Sequence, residues 1–483
     1  MQHTGHYTIS QQQSQSFAEL SGDYNPLHVD AVYARRLQFG RPVIHGIHHL
    51  LSAWNAVDTS SLFPDSASNI WLSELTASFP NPVRWGQMIE YRAELFPEQH
   101  AAVISAFCED QKILALKLQF SEGYELPQYS LLPTCPPKLE SLNLDFPPKG
   151  HSGQCQLHLD QSRAAKLFPG LMRYMPPQQL AQIIACTRVV GMQCPGLNSI
   201  FSGIQLHFSS DFSGDNKDAV HYSVAYSDKR VNMVNIAVDS AGMKGKLNTF
   251  FRPAPVQQPT YTEISSIITD SRFANQRALV IGGSRGIGET TAKLLCAGGA
   301  DVIITYNQGR EEAEKVAKEI NAGNGHCQIA AFDVNTVSTQ SLIVFKEQLL
   351  PTHIYYFASP HITANRATAW NQALFDYFAR FYLEAFSSLV ALYAEHTSPT
   401  SNPVTYFYPS SVFVEKPEKG FAEYAVAKGA GEVLCKQLSV KYPHFTFLAP
   451  RLPRMSTDQT SSIIPIKCDP VLDVMRRELK KMV

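Results

Sequence analysis

The chain has 483 residues, more than one hydrophobic core usually supports, so two or three domains are expected. A hydrophobic fraction of 44%, a charged fraction of 17% and a formal net charge of -1 exclude a field strong enough to gather nucleic acid. Nine cysteines lie scattered without a close CxxC pair, the N-terminus lacks a basic stretch followed by an apolar one, and no apolar run reaches membrane-spanning length, so a cytoplasmic protein off the membrane is expected.

Two stretches rich in proline and polar residues break the apolar periodicity, around Leu126 to Gly153 and Arg252 to Gln276. They set the expected division: a first block over 1–125, a linker over 126–153, a second block over 154–252, a linker over 253–276 and a third block over 277–483. In the first block a helical stretch, Gly46 to Val57, precedes strand patterns at Leu72–Phe79, Met88–Phe96, Ala102–Cys108 and Ile113–Phe120. In the second, Pro177 to Val190 precedes strand patterns at Ser202–Phe208, Ala219–Tyr226, Val231–Val238 and Gly245–Phe251, so a duplicated plan is expected. The third block alternates strand and helix, from Arg277–Ile281 through Gly286–Cys296 and Asp301–Tyr306 to Gly309–Ile320, which implies βαβ units and a doubly wound parallel sheet of α/β class.

The turn-forming segment Leu20-Ser21-Gly22-Asp23-Tyr24-Asn25-Pro26-Leu27-His28 sets a carboxyl and an imidazole five residues apart, able to face one cleft. A carboxylate and a neutral histidine can hold one water between them, one taking its proton as it attacks and the other handling the proton on carbon: hydration chemistry. Downstream, Arg41-Pro42-Val43-Ile44-His45-Gly46 opens an apolar helix whose first N–H groups are unpaired and partly positive, suited to polarising a carbonyl. His45 and His49 stand at i, i+4 spacing with His48 and His28 near, a pattern zinc can use, but no acidic residue lies between them as in HExxH, and no metal is expected.

This segment resembles the MaoC-like (R)-specific enoyl-CoA hydratases of the hot-dog fold, whose S-G-D-x-N-P-x-H motif carries catalysis, and Phe79-Pro80-Asn81-Pro82-Val83-Arg84-Trp85-Gly86 resembles their F-x-x-P-V-x-x-G connection. The resemblance implies Asp23 and His28 as the acid–base pair, Asn25 and Pro26 as shapers of the turn, and the Gly46 amide as part of an oxyanion site. The second block has no equivalent motif. By the same resemblance it is the silent half of an α+β double hot-dog, either making room for a bulkier acyl chain or only completing the fold.

In the third block, Ala278-Leu279-Val280-Ile281 runs into Gly282-Gly283-Ser284-Arg285-Gly286-Ile287-Gly288, a strand, a glycine-rich turn and a helix start that suit a pyrophosphate. The next strand ends Thr305-Tyr306-Asn307 without a carboxylate for a ribose 2′-hydroxyl, while Arg285 is available to pair with a 2′-phosphate, so NADPH is favoured over NADH. Ser411 precedes Tyr424-Ala425-Val426-Ala427-Lys428 by thirteen residues, and Tyr424 and Lys428 stand one helical turn apart on one face. A lysine that lowers the phenol's pKa lets the tyrosine protonate an alkoxide as hydride arrives, with serine holding the carbonyl oxygen: carbonyl reduction.

These residues resemble the short-chain dehydrogenase/reductase superfamily, with Gly282, Gly286 and Gly288 in its G-x-x-x-G-x-G, Ser411, Tyr424 and Lys428 as its triad, and Asp333-Val334 at its adenine-contacting position. The resemblance implies a Rossmann-type domain and a 3-oxoacyl thioester reductase, with Ser284, Arg285 and Ile287 also lining the cofactor. Three departures stand out. The usual N-N-A-G is replaced by Phe357-Ala358-Ser359-Pro360, nothing near Phe381-Tyr382 matches the family's catalytic asparagine, and Pro450-Arg451 stands for P-G with only a short stretch after Thr460. An abbreviated lid and last strand are therefore expected.

Reduction of a 3-oxoacyl thioester followed by dehydration are consecutive steps, so the expected protein is a bifunctional reductase and dehydratase of fatty-acid-like or polyketide-like chain synthesis. Its substrate would ride on an acyl carrier protein or coenzyme A, and a homodimer or larger assembly is expected. The alternatives are a hydratase with the third block as scaffold and a non-catalytic acyl-binding partner of a synthase. The basic end Met475-Arg476-Arg477-Glu478-Leu479-Lys480-Lys481 reads as a solvated helix face or a patch for phosphates.

Overall fold

A computed structural model of the chain describes residues 1–57, 59–62, 70–122, 132–209, 218–365, 369–397, 403–464 and 466–482. Residues 126–131 of the expected first linker lie outside the described residues. The chain forms two compact units, Met1–Ala254 in the first and Pro255–Ser461 with the stretch from Ile466 in the second.

The first unit is built on ten strands: β1 (Gln2–Tyr7), β2 (Ile70–Ser78), β3 (Ile89–Phe96), β4 (Ala101–Cys108), β5 (Gln111–Glu122), β6 (Ser152–Gln156), β7 (Ser199–Phe208), β8 (Ala219–Asp228), β9 (Met233–Ser240) and β10 (Met243–Phe251). They form one sheet in the order β1-β3-β4-β5-β2-β7-β10-β9-β8-β6. The order of the second five strands mirrors the first, and the antiparallel pair β2–β7 joins the halves. Residues of β4 and β9 alternate between buried and half-buried, the pattern of a sheet with one face on the core.

Each half carries a central helix, Gly46–Ala56 in the first and Pro177–Arg188 in the second. Ile47, Leu50, Leu51, Ala53 and Trp54 of the first are fully buried, and so is the second from Gln178 to Arg188. Burying a Leu or Trp of this kind stabilises the fold by about 2 kcal/mol each, so the helices anchor the sheet curled around them. A proline at the first turn of the second helix fits there because that N–H has no intrahelical acceptor. Its last turn widens into a π-helical segment, Val189–Gln193.

The two halves share a detail beyond topology. Gly5 of β1 stands opposite Tyr91 of β3, and Gly153 of β6 opposite Tyr222 of β8, at matching places in the strand order. A Cβ on Gly5 would meet the Tyr91 ring at 2.7 to 2.8 Å, and one on Gly153 the Tyr222 hydroxyl at 2.5 Å. In both edge strands a tyrosine lies over a bare glycine and covers its backbone.

The second unit holds a parallel sheet of β11 (Arg277–Ile281), β12 (Asp301–Tyr306), β13 (His326–Ala331), β14 (His353–Tyr356), β15 (Val404–Phe407) and β17 (Phe445–Leu448), with the short parallel pair β16 (Ser410–Ser411) and β18 (Arg451–Leu452) beside it. The order β13-β12-β11-β14-β15-β17 reverses direction between β11 and β14, the switch point where such sheets open a crevice at their carboxyl ends. Among the described residues the large sheet ends at β17, in keeping with the abbreviated last strand. The stretch expected as a linker over 253–276 carries the helix Tyr261–Ile267, which opens with a Thr260/Glu263 capping box and buries Tyr261 and Ile264 in the second unit. At the C-terminal end Arg477 and Lys481 both pair with Glu478, as on a solvated helix face.

Candidate functional site

In the first unit the helix Gln11–Ser21 ends at Gly22, whose φ of 71° turns the chain into the loop that carries Asp23. Asn25 then caps the short helix Pro26–Val29, its Oδ1 accepting from the Leu27 N–H at 3.0 Å. Its Nδ2 donates to the carbonyls of Gly191 at 3.0 Å and Gly196 at 3.2 Å in the second half. His28, on that helix, donates from Nδ1 to the Val43 carbonyl at 2.7 Å, which leaves Nε2 as its free acceptor. The His28 ring stacks on His45 with centroids 3.8 Å apart.

Asp23 is 1% exposed and its carboxylate is hemmed in by the second half. Thr187 donates to Oδ2 at 2.7 Å, and the Asn25 N–H donates to Oδ1 at 3.2 Å. His45 donates from Nε2 to the Asp23 carbonyl oxygen at 3.0 Å. Burial pushes the Asp23 carboxyl above its ordinary range, against the opposing pull of His28 and Thr187, while burial holds His28 below the usual imidazole range. Above both of these values the pair is a carboxylate beside a neutral imidazole. One ligand atom each of Asp23, His28 and His45 lies within 4.8 Å of the others, so a cation placed here would compete with that pair. His49 turns instead toward Tyr7, at 6.2 Å between ring centroids, and His48 stacks on Phe17 at 4.6 Å, so the i, i+4 pair does not converge. Gly46 begins its helix against the Phe79 ring, 3.0 Å from where a Cβ would stand.

In the second unit β11 enters the glycine-rich turn. Gly282 has φ 79° and Gly286 φ 59°, backbone that other residues adopt only under strain. A Cβ on Gly288 would lie 2.2 Å from the Gly282 carbonyl oxygen, and one on Gly283 2.6 Å from Ile304 Cβ, so glycine alone lets the helix Gly286–Ala297 start this close to the sheet. Gly282 N–H donates to Thr305 Oγ1 at 3.1 Å. Ser284 and Ile287 belong to the same turn and first helical residues, and Arg285, at the N-cap, has Nη1 3.5 Å from the Asp458 carboxylate. Asp333 accepts from the Asn335 N–H at 2.9 Å and caps the turn that begins at the buried Val334.

Ser411 ends β16, and Tyr424 and Lys428 sit one turn apart on the helix Ala422–Lys441. All three are at most 9% exposed. The expectation that Lys428 lowers the Tyr424 phenol does not hold in this arrangement: burial pushes the phenol up to about 12, against the Ser411 hydrogen bond. Lys428 itself is held down, to about 7, by burial. Its ammonium donates to the Pro409 carbonyl at 2.8 Å.

The family of the MaoC like domain matches residues 1–106, and (R)-specific enoyl-CoA hydratase of Aeromonas caviae is 32% identical over 109 residues, 22% of this chain and 72% of that protein. The chain belongs to the MaoC-like dehydratase family. Behind the MaoC-like domain, the short chain dehydrogenase family matches residues 276–347. 3-hydroxybutyryl-CoA dehydratase of Methylorubrum extorquens is 34% identical over 105 residues, and 3-oxoacyl-[acyl-carrier-protein] reductase of Synechocystis sp. 35% identical over 92 residues. The chain spans 63% and 35% of the length of those two relatives. A short chain dehydrogenase from Burkholderia cenocepacia, solved in complex with NADP, is 20% identical, with 43% of this chain and 90% of that chain covered and a TM-score of 0.36.

Several residues of the MaoC-like site escaped sequence reasoning because they lie some 160 positions away in the second half. Thr187 and Gly191 touch Asp23, and Arg188 donates to the Ser21 carbonyl at 3.3 Å. The sequence carried little signal for them, because the helix before them already holds Gln178, Gln179 and Gln182, so a further polar position does not stand out. In the short-chain dehydrogenase unit, Tyr382 occupies the place searched for an asparagine. No helix among the described residues is long and apolar enough to cross a membrane.

Proposed function

We propose that the chain is a bifunctional enzyme, an NADPH-dependent 3-oxoacyl thioester reductase and an (R)-3-hydroxyacyl thioester dehydratase, acting in fatty-acid-like or polyketide-like chain synthesis. On this reading residues 1–125 and 154–252 are the catalytic and silent halves of a double hot-dog, residues 277–483 the reductase, and 126–153 and 253–276 their connections. The observation that carries the proposal is the convergence of both polar sets, Asp23 with His28 and Ser411 with Tyr424 and Lys428, for two consecutive reactions in one chain.

In the dehydration direction the Asp23–His28 pair takes the proton from the carbon next to the thioester carbonyl and passes that same proton to the leaving hydroxyl. The hydroxyl departs as water held between them. His28 serves through Nε2, since Nδ1 is spent on Val43. The helix N-terminus at Gly46 stabilises negative charge on the thioester oxygen. Asn25 holds the loop against the second half.

The glycine turn fits a dinucleotide, because the backbone between Gly282 and Gly288 is bare where a Cβ would collide. Gly282, Ser284, Arg285, Gly286, Ile287 and Gly288 would hold its phosphates, Asp333 and Val334 its adenine side, and Tyr424 and Lys428 its nicotinamide ribose. When bound it supplies a hydride to the 3-oxo carbon. Ser411 orients the carbonyl, and Tyr424 gives its proton to the forming alkoxide. The carrier of the acyl group is an acyl carrier protein or coenzyme A. A homodimer or larger assembly is supported by Val426, Val433 and Val440, exposed at seven-residue spacing on one helix.

The test is NADPH consumption with a 3-oxoacyl thioester, products followed by mass spectrometry, for wild type, Asp23→Asn and Tyr424→Phe. Release of an enoyl thioester by wild type, arrest of Asp23→Asn at the hydroxyacyl stage and loss of reduction in Tyr424→Phe are expected. NADPH left untouched while supplied 3-hydroxyacyl thioester is dehydrated would reduce the second unit to a scaffold. Binding without turnover on either substrate would make the chain an acyl-binding partner.

A further inference from the structure

The Lys428 ammonium makes its hydrogen bond to Pro409 and otherwise meets aromatic rings: it stands 3.7 Å from the centroid of Tyr382, 5.3 Å from Tyr408 and 5.9 Å from Tyr424. Among the described residues it forms no ion pair with a carboxylate. Glu432, one turn farther along the same helix, is turned to Ser410 at 2.5 Å and Arg451 at 2.8 Å, and Cys435 is the other titratable group of that helix near the ammonium. An ammonium stripped of water needs compensation, and a ring face at this range supplies it.

The Tyr382 ring is itself fixed from several sides. Its hydroxyl is 2.7 Å from Ser359 Oγ, in the segment that replaces the usual N-N-A-G. The ring lies parallel to Phe378 and edge-on to Tyr424 at 5.9 Å. Its backbone belongs to a widened, π-helical turn, Arg380–Ala385, and its carbonyl accepts from the Tyr408 hydroxyl at 3.2 Å. A phenol anchored at its tip, in a helix wide enough to admit it, presents a rigid face to the lysine.

We propose that Tyr382 is a positioning residue of the reductase chemistry, its ring face holding the Lys428 ammonium beside the Tyr424 phenol by a cation–π contact. This rests on the reductase reading above and names how this chain replaces a polar relay residue. The ring stabilises the charged lysine, so weakening the ring lowers the pH at which Lys428 loses its proton.

The experiment is an NMR titration of the full-length protein with 13Cε-labelled lysine, the Lys428 resonance assigned by its disappearance in Lys428→Arg. Tyr382→Phe keeps the ring and is expected to titrate with wild type. Tyr382→Leu is expected to fall by about one pH unit. Phenylalanines of increasing fluorination at position 382 keep the shape while weakening the negative face, and are expected to lower the titration stepwise even if Tyr382→Leu fails to fold. A fluorinated series that titrates with wild type would overturn the proposal, as would a Tyr382→Phe shift as large as that of Tyr382→Leu, which would place the hold in the Ser359 bond. Because the readout needs no turnover, a chain that consumes no NADPH still decides the point.

Discussion

Gly191 faces Asp23 so closely that a Cβ at position 191 would lie 2.3 Å from Oδ1 and 2.5 Å from Oδ2 of the carboxylate. In the position where Thr187 holds it, the carboxylate leaves no room for that methyl. Gly191→Ala is therefore expected to displace the carboxylate and lower kcat for dehydration by about a hundredfold, the scale of a misplacement of about 1 Å. Steady-state kinetics on a 3-hydroxyacyl thioester measures this, with reduction as the internal control. An Ala variant with unchanged dehydration refutes the contact.

The same carboxylate predicts a pH dependence. Burial raises Asp23, and His28 and Thr187 draw it back. Dehydration needs the ionised form, so activity is present above the raised value and is lost as pH falls through it. Thr187→Val removes one of the restraining groups, which also include His28, the Asn25 N–H and Arg188. The acid limb of kcat/KM should move up, by about one to two units for a hydrogen bond to a charged group. A limb that stays or moves down contradicts the assignment.

Asn25 joins the halves, donating to Gly191 and Gly196 while capping the helix Pro26–Val29. Asn25→Ala leaves two buried carbonyls short of a donor and the helix short of a cap, at a cost of about 2 to 3 kcal/mol. Urea unfolding of the full chain should show this loss in the transition of the first unit. A change below about 0.5 kcal/mol would mean that water replaces the side chain.

For the second unit, Gly288→Ala would push a methyl into the Gly282 carbonyl, 2.2 Å away. The helix must retreat from the strand and the turn must open. NADPH affinity is expected to fall at least about tenfold by calorimetry, from misplaced backbone donors. Dehydration by the first unit should continue unchanged; parallel loss of both activities would point to general unfolding instead.

Much of this was legible in sequence because the chemistry is concentrated in short motifs. The Asp23–His28 turn and the Tyr424–Lys428 helical pair fall into place by spacing alone. The eight long strands were visible as alternation, and their ends shifted by only a few residues. The edge strands β1 and β6 were not, since β1 buries no side chain fully and reads as polar coil, and in each a glycine lies opposite a tyrosine of the neighbouring strand. The helix Tyr261–Ile267 hid among prolines that look like linker. Thr187 and Gly191 were invisible for a different reason: their role exists only once the two halves face each other. The raised Tyr424 phenol was missed because depth of burial, which outweighs the Ser411 hydrogen bond, has no signature in spacing.

The matched edge-strand glycines, Gly5 under Tyr91 and Gly153 under Tyr222, make the halves of the first unit look like sister copies. Between those sisters, labour has been divided unequally. One half holds the acid and the imidazole; the other supplies the socket that grips that acid. A socket of that kind is under selection without owning a reactive atom. Damage to Thr187 or Gly191 is therefore expected to slow dehydration or move its pH range while the S-G-D-x-N-P-x-H signature stays letter-perfect, and a gene screened for that signature alone would be scored as intact.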